Sequence, residues 1–472
     1  MLRALILLVV GGVALGQGVT WSGVDAALTK LITGAGEGGL EVGCCVIDPT
    51  TGERLYAVQA ERLMIPASNQ KVFTAAAALL GLGPEHRLCT DLVAHGAIEG
   101  GVLKGDLRLR GEGDPTLESD RVLPWLFERV RAAGIRHVEG ALLIDERFFA
   151  HELRGPEWPD EEPSKAWMAA VSPLSLDHGT VAVRLLAGAG PGAAARCRIV
   201  PEAAAPFACS AVTARSNSEH LIGVSREAGS DMLRISGRVA PLTAVHDVSV
   251  AVLDPAQSFA SALLAVLEGG GVRVDGGTRR ATADAPKGGL LLGRLRTRVA
   301  DVLPVLMKSS QNHRAEMLAR HIAAAQASGA GFAAAGRAMA VILERGGARL
   351  GGSVLADGSG LSRANRTTAR ALTDVLGVVW RSPQRDTMLA VMPRAGEDGS
   401  TLDGRLKDLA ARVHAKTGTL RAVSTLSGYV STATGRTLAF SILVHQARPS
   451  RRSAREVQDG IVRALARFGG TP

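Results

Sequence analysis

The sequence predicts a mixed α/β protein in which one domain, built from both ends of the chain, is interrupted by a β-rich insertion. Three observations lead to this prediction: strands and a helix near the start, a change of texture between residues 86 and 285, and helices with apolar strands near the end. The 472 residues are enough for two or three domains. Hydrophobic residues make up 46% of the chain and charged residues 21%, which excludes a mainly disordered, collagen-like or heptad-repeat protein.

The chain begins with the features of a secretory signal peptide. Arg3 supplies a basic start, an apolar run extends from Ala4 to Gly16, and small residues at Ala14 and Gly16 suit cleavage before Gln17. The apolar run is too short to cross a bilayer, which needs roughly 20 residues. We therefore expect residues 1–16 to be a signal peptide, with an uncleaved anchor as the open alternative. We expect the protein to be exported, to the periplasm or otherwise outside the cytoplasmic membrane.

The first part of the mature chain should contribute two strands and a long helix. Residues 39–58 alternate around a Pro-Thr-Thr-Gly turn, which is typical of a hairpin. An Ala-rich stretch with Pro66 near its start and Gly81 at its end predicts a helix. Residues 17–85 and 286–472 are accordingly predicted to form one discontinuous catalytic domain.

Residues 86–285 are predicted to form the insertion, divided into two subdomains, because short alternating strands and Gly or Pro turns replace long helices there. Helical patterns return after the insertion, and two apolar strands and an amphipathic stretch follow them. The helical patterns cover 299–325, 331–346 and 367–380, the strands 422–431 and 436–445, and the last stretch 453–468. We expect that last stretch to pack against the sheet, with at most peripheral contact with a membrane.

Charge and cysteine patterns exclude several classes of function. The net charge is +9, but the basic residues are scattered, so we expect no nucleic-acid partner. No Cys-x-x-Cys or His-Glu-x-x-His pattern occurs, so we expect no metal site. Cys197 and Cys209 are close enough in sequence to staple a hairpin in an oxidising compartment, although both also suit a buried core.

A serine and a lysine stand three residues apart where the Ala-rich helix begins. Ser68 and Lys71 would share one helix face, so the Lys71 amine can reach the Ser68 hydroxyl. A hydroxyl needs an adjacent base to become a good nucleophile, and a lysine can act as that base only when it is neutral. In isolation, the same pattern also suits a helix-capping serine and a solvated lysine.

Two further motifs follow in order along the chain. Ser310 and Asn312 form a Ser-x-Asn motif, and Lys416, Thr417 and Gly418 form a Lys-Thr-Gly motif just before an apolar strand. A cation, hydroxyl donors from Thr417 and Thr419, and a glycine that permits close approach would suit a site holding a carboxylate beside a reacting carbonyl. Each motif alone is weak, but their ordered combination in one exported chain is a strong signal.

These motifs resemble those of the penicillin-recognising serine enzymes. The segments PASNQKVFTAAAALLGLGP, KGDLRLRGEGDPTL and ADGSGLSR are more narrowly similar to the low-molecular-mass D-alanyl-D-alanine carboxypeptidase/endopeptidase family with a large insertion between the first two motifs. The resemblance runs from about residue 25 to 465. It implies a transpeptidase-like domain, an antiparallel sheet flanked by helices, interrupted by the insertion.

The resemblance also implies a chemistry and a set of roles. Peptidoglycan stem peptides ending in D-Ala-D-Ala would acylate Ser68, with Lys71 accepting its proton, and penicillin and other β-lactams would acylate the same serine. Ser310 would relay a proton to the leaving D-Ala, and Asn312 would orient Lys71. Lys416, Thr417, Gly418 and Thr419 would bind the substrate, with the backbone N–H groups of Thr419 and Ser68 forming the oxyanion hole. No cofactor is implied, and D-alanyl endopeptidase action is implied as a further activity.

Two other classes of function remain open from the residues. One is a β-lactamase or D-amino-acid esterase on the same scaffold, differing in how fast water clears the acyl-enzyme. The other is a catalytically silent wall-binding protein. His313, which follows the middle motif, could edge the cleft, but we expect it on the surface.

Overall fold

The computed structural model describes residues 19–159, 164–226, 230–241, 245–285, 288–327, 329–446 and 453–470. The predicted signal peptide, residues 1–16, lies outside them. The α-helices within these ranges are α1 Trp21–Glu37, α2 Gln70–Gly81, α3 Ser119–Ala132, α4 Pro255–Gly269, α5 Val299–Lys308, α6 Asn312–Ala325, α7 Phe332–Arg345, α8 Ala369–Trp380, α9 Arg385–Val391 and α10 Ala454–Ala466. Short 3-10 helices cover Ala67–Asn69, Ala166–Met168, Asn217–Glu219 and Lys407–Leu409.

The strands of the described ranges are numbered in chain order. They are β1 Leu40–Ile47, β2 Arg54–Val58, β3 Arg87–His95, β4 Ile98–Glu99, β5 Val102–Leu103, β6 Asp106–Gly111, β7 His137–Val138, β8 Leu142–Asp145, β9 Thr180–Leu186, β10 Arg196–Val200, β11 Phe207–Cys209, β12 Val212–Thr213, β13 Leu221–Arg226, β14 Leu233–Val239, β15 His246–Ala251, β16 Arg273–Val274, β17 Thr278–Arg280, β18 Leu290–Arg298, β19 Val413–Leu420, β20 Val423–Ser431 and β21 Thr437–Gln446.

A five-stranded antiparallel sheet joins the two ends of the chain in the order β19-β20-β21-β1-β2. Alternate residues of β1 point to opposite faces, so Cys44 packs with α1 and α10 while Cys45 packs with α2 and α8. The sheet is therefore covered by helices on both faces. This arrangement confirms the predicted mixed α/β class and the antiparallel sheet flanked by helices.

The helices on the α2 face carry the turns that surround the nucleophile motif. Ala75 to Ala78 are fully buried, and their small side chains let α5, α6, α7 and α8 pack closely around α2.

The sequence pattern predicted helix throughout 299–325, but the structure breaks it between α5 and α6. Ser310 adopts a left-handed conformation with φ of 58°, and the Gln311 side chain then accepts a hydrogen bond from the Arg314 N–H at 2.8 Å to cap α6.

The described residues between α2 and α5 form four small sheets. Their strand orders are β17-β8-β6-β3-β18, β16-β7-β5-β4, β10-β9-β15, and β11-β14-β12 with β13 also paired to β14. Most of them share one hydrophobic core with α3 and α4, two longer helices where the sequence led us to expect few. The Cys197–Cys209 disulfide links β10 to β11, which confirms the pairing suggested by the sequence.

The predicted limits of the insertion, residues 86 and 285, stay predictions, as does its division into two subdomains. Strand β18 bears on the second limit because it pairs antiparallel with β3 through Arg298. If the insertion is defined by the strands of this sheet, it extends to Arg298.

The C-terminal helix α10 packs Val457, Ile461 and Leu465 into the core formed by the central sheet and α1. Ser453 and Glu456 form a capping box at its start. None of the helices in the described ranges combines the length and the apolar composition needed to cross a membrane.

Candidate active site

Ser68 lies in a tight turn that is tied to the edge of the central sheet. Ala67, just before it, has a left-handed φ of 46°, and a 3-10 turn leads from there into α2. The Asn69 side chain donates hydrogen bonds to the Lys416 carbonyl at 3.2 Å and to Thr425 Oγ1 at 2.5 Å. Thr425 in turn donates to the Pro66 carbonyl at 2.8 Å. The turn is therefore fixed from both sides, with Ser68 half-buried at its tip.

Lys71 lies one helical turn after Ser68 and points its amine at three acceptors. Its Nζ donates to Ser68 Oγ at 3.1 Å, Asn312 Oδ1 at 2.8 Å and the Ser359 carbonyl at 2.7 Å. The side chain is fully buried, and burial lowers the pKa of Lys71 to about 8 against the opposing negative field of buried carboxyl groups. A lysine with such a pKa is partly neutral at physiological pH, as a base for a serine must be.

The Ser-x-Asn motif lies between α5 and α6, with Asn312 as the first residue of α6. The Asn312 amide is held at both ends, because Oδ1 accepts from Lys71 and Nδ2 donates to the Trp167 carbonyl at 2.9 Å. Trp167 lies within the predicted insertion. Ser310 is half-buried, and among the described residues no hydrogen bond joins its side chain to Ser68 or Lys71.

The Lys-Thr-Gly motif lies on β19, the edge strand of the central sheet beside the nucleophile turn. Lys416 is fully buried, its Nζ donates to the Thr417 carbonyl at 2.9 Å, and burial together with the Lys71 charge lowers its pKa. A Cβ on Gly418 would lie 2.9 Å from the Ser68 nitrogen and 2.2 Å from Thr425 Oγ1. Only glycine therefore lets the strand approach the turn this closely. Thr419 is exposed at the open end of the motif.

A buried loop at residues 357–362 completes the surroundings of Lys71. Its Gly360 has φ of 85°, and a Cβ there would lie 1.8 Å from the Ala67 carbonyl oxygen. Gln70 and Thr74 of α2 donate to the carbonyls of Asp357 at 2.8 Å and Gly358 at 2.6 Å. Sequence reasoning treated this segment as a turn similar to a family segment and assigned no site residue to it.

An open cavity of about 630 Å³ flanks the motifs. It is lined in part by Trp167, next to the carbonyl that Asn312 binds, and by Leu420, which follows Thr419 on β19. Arg363 and Arg421 contribute cations to the same wall. The cavity thus lies beside the motifs, next to Thr419 in the chain, and the motif residues themselves are not among those that line it.

The expectation for His313 was wrong. It is only 3% exposed, because the Asp177–Gly179 loop of the insertion covers it, and burial together with the His178 and Arg314 charges lowers its pKa to about 3. In the described part of the chain, no cluster of three or more His, Cys, Asp or Glu side chains is arranged to hold a metal ion.

Comparisons with known proteins agree with this fold. A D-alanyl-D-alanine carboxypeptidase from Actinomadura sp. (strain R39) is 36% identical over 448 residues, covering 91% of this chain and 81% of that protein. The crystal structure of penicillin binding protein 4 (dacB) from Haemophilus influenzae superposes with a TM-score of 0.79 at 26% identity, covering 93% of this chain and 98% of that one. A predatory endopeptidase from Bdellovibrio bacteriovorus shares the fold at 17% identity, with a TM-score of 0.52 and coverage of 90% and 93%.

The fold and the comparisons together identify the chain as a low-molecular-mass penicillin-binding protein, which is a class of serine hydrolases. Within it, the chain belongs to the D-Ala-D-Ala carboxypeptidase 3 (S13) family, whose model matches residues 24–468. The chain is therefore a serine-type D-Ala-D-Ala carboxypeptidase, and the resemblance drawn from its motifs is confirmed.

Proposed function

We propose that Ser68 is the nucleophile of this carboxypeptidase and that Lys71 is its general base. Ser68 Oγ attacks the carbonyl carbon of the penultimate D-Ala while Lys71 Nζ takes the hydroxyl proton. The observation that carries this proposal is the buried amine of Lys71, 3.1 Å from Ser68 Oγ and fixed by Asn312 Oδ1 at 2.8 Å.

The developing oxyanion would be stabilised by the backbone N–H groups of Ser68 and Thr419. Support comes from Gly418, whose missing side chain lets β19 lie against the Ser68 nitrogen. The buried Lys416 charge would attract the terminal carboxylate of the substrate, with Thr417 contributing its hydroxyl.

Collapse of the tetrahedral intermediate breaks the C–N bond. The proton taken by Lys71 passes through Ser310 to the leaving amine, so that D-Ala departs neutral at nitrogen and Ser68 remains as an ester. Water then hydrolyses the ester and restores the Ser68 hydroxyl. Asn312 would keep Lys71 aligned throughout, because both ends of its amide are already bound.

We propose peptidoglycan stem peptides ending in D-Ala-D-Ala as substrates and β-lactams as acylating inhibitors. The related H. influenzae protein is known in a complex with a β-lactam. Endopeptidase action on D-alanyl cross-links is proposed as a second activity, since endopeptidases occur among the structural neighbours. Export to the periplasm or beyond the cytoplasmic membrane follows from the substrate and from residues 1–16, which the structure does not describe.

Intact mass spectrometry of residues 17–472 after brief incubation with benzylpenicillin tests the nucleophile. We expect a one-to-one adduct that is absent in Ser68→Ala, together with D-Ala release from a synthetic D-Ala-D-Ala peptide by the unsubstituted protein alone. Hydrolysed drug without an adduct would instead favour a β-lactamase. Intact drug without an adduct, and no D-Ala release, would favour a silent wall-binding protein.

A further inference from the structure

We propose that Glu316 is a positioning residue for Lys71, acting through the backbone of the 357–362 loop and through its own negative charge. The inference rests on the proposed role of Lys71 as the base that activates Ser68. It assigns a function to a buried carboxyl group that none of the three motifs contains.

The first argument is the position of Glu316 on α6. Glu316 follows Asn312 by four residues, so both side chains leave the same face of the helix. Asn312 reaches Lys71 directly, with Oδ1 at 2.8 Å from the amine. Glu316 reaches the backbone of the loop that supplies the third acceptor of Lys71, the carbonyl of Ser359.

The second argument is how Glu316 holds that loop. Its Oε1 accepts a hydrogen bond from the Ser359 N–H at 2.8 Å and its Oε2 accepts from the Gly358 N–H at 2.9 Å. The opposite side of the Gly358 peptide is held by Thr74 of α2, which donates to its carbonyl at 2.6 Å. The two peptide planes that precede the Ser359 carbonyl are therefore fixed between α6 and α2.

A second buried carboxylate, Asp357, fixes the rest of the loop. It accepts from the N–H groups of Gly360 at 2.7 Å and Ser362 at 2.6 Å, from Asn365 Nδ2 at 2.8 Å, and from the indole of Trp158 at 3.0 Å. These four hydrogen bonds use the whole acceptor capacity of the Asp357 carboxylate. Among the described residues, Glu316 is the side chain that joins this loop by hydrogen bonds to the helix that carries Asn312.

The third argument is charge. Glu316 is fully buried, and burial together with the Asp357 charge raises its pKa, while the hydrogen bonds from the Gly358 and Ser359 N–H groups to its two oxygens lower the pKa and favour the carboxylate form. The other charged groups nearby are Lys71 on α2, Asp357 in the loop and Arg320 on α6. Lys416 on β19 opposes Lys71 with a like charge. The negative fields of Glu316 and Asp357 raise the pKa of Lys71 against the effect of burial. Removing the Glu316 charge should therefore favour the neutral amine and lower that pKa.

The test is the pH dependence of the second-order rate of acylation by benzylpenicillin. In Glu316→Gln, we expect the acidic limb to move to lower pH by about one unit, and the plateau rate to fall about tenfold because the glutamine NH₂ opposes a backbone N–H. Glu344→Gln, an exposed glutamate on α7, is the matched control and should keep the wild-type profile. A folded Glu316→Gln protein with an unshifted limb would overturn the proposal.

Glu316→Asp is a second variant, and it keeps the negative charge. If circular dichroism shows that Glu316→Gln is unfolded, Glu316→Asp tests the positioning role instead. We expect its acidic limb to stay at the wild-type pH while its plateau rate drops several-fold, since the shorter side chain cannot reach both N–H groups. A wild-type rate in this variant would refute the positioning role. Failure of the proposed function itself is distinguished by the Ser68→Ala adduct experiment, which does not involve Glu316.

Discussion

Lys71 must be neutral when it takes the proton of Ser68, so its pKa determines the pH dependence of acylation. Burial lowers that pKa to about 8. Below it, the neutral fraction falls about tenfold per pH unit, so the benzylpenicillin acylation rate should rise about tenfold per unit from pH 6 and level off above pH 8. Stopped-flow measurement across pH 5.5–9 checks this expectation. A flat rate from pH 6 to 8 would rule out Lys71 as the base.

Matched lysine variants separate this role from a general charge effect. Lys71→Met should lose acylation by at least about 1,000-fold, because the base and its hydrogen bond to Ser68 disappear together. Lys30→Met, on an exposed position of α1, should react like the unsubstituted protein.

Gly418 is the residue whose size controls how closely β19 approaches the nucleophile. Gly418→Ala would place a Cβ 2.9 Å from the Ser68 nitrogen, so either the strand or the turn must move. We expect the acylation rate to fall at least tenfold, since about 1 Å of displacement at a reacting centre is costly. Gly36→Ala in α1, where nothing lies within 4 Å, should leave the rate unchanged. Equal rates for both variants would show that the close approach is irrelevant to catalysis.

At the level of single residues, the sequence predicted the residues of the motifs better than the residues that hold them in position. Ser68, Lys71 and Asn312 could be named because motif order carries information, and the structure joins them by hydrogen bonds. Glu316 could not be named, since its partners lie more than forty residues away and a glutamate on a helix looks like a solvated one. The expectation for His313 was wrong for the same reason, because the local sequence does not show which distant segment packs over a residue.

Among the elements, the break between α5 and α6 shows where periodicity misleads. The apolar pattern stops at the polar residues 308–314 and resumes after them, and this pattern does not reveal that the left-handed backbone at Ser310 turns α6 so that Asn312 faces Lys71. A non-glycine residue is uncommon in that conformation, and nothing in the local sequence demands it. The hairpin of β1 and β2, α2, and the last two strands were predictable because their patterns are local.

The insertion touches the catalytic centre through two tryptophans, and they should respond differently to substitution. Trp158→Phe removes the indole donor to the buried Asp357 carboxylate, which costs about 1–3 kcal/mol and loosens the 357–362 loop. We expect a lower melting temperature and a several-fold slower acylation by benzylpenicillin.

Trp167→Phe is the matched comparison, because Trp167 binds Asn312 through its backbone carbonyl and its side chain is 47% exposed. Its acylation rate should stay within about twofold of that of the unsubstituted protein. The same loss of rate in both variants would contradict a specific role for the indole of Trp158.

For the whole molecule, the catalytic sheet and the predicted insertion have separate large hydrophobic cores. A smaller hydrophobic cluster, in which Trp158 packs with Met317 and Phe332, joins them together with a few polar anchors. Arg320 of α6 is the largest of these anchors. It is fully buried, donates to the carbonyls of Ala150, Glu152 and Ala330, and lies 4.7 Å from the ring centroid of Phe149. Because Arg320 binds the carbonyls of both Ala150 and Glu152, the segment that leads to Trp158 is held against α6. The remote sheets of the predicted insertion pack in their own core.

This separation predicts that the Cys197–Cys209 disulfide stabilises the insertion without affecting catalysis. The bridge closes a short loop at the edge of the insertion's core, where Cys197 packs against the core and Cys209 is exposed. A stabilisation of about 2–4 kcal/mol is typical of such a bridge. In the double variant Cys197→Ser and Cys209→Ser, hydrogen exchange should therefore become faster in β9 to β14. The rate of acylation by benzylpenicillin should remain within about twofold, because none of the contacts around Ser68 and Lys71 involves these strands. Cys89→Ser, a free thiol on β3, serves as the control and should change neither measurement. A loss of acylation in the double variant would show that the remote sheets and the catalytic centre are one cooperative unit.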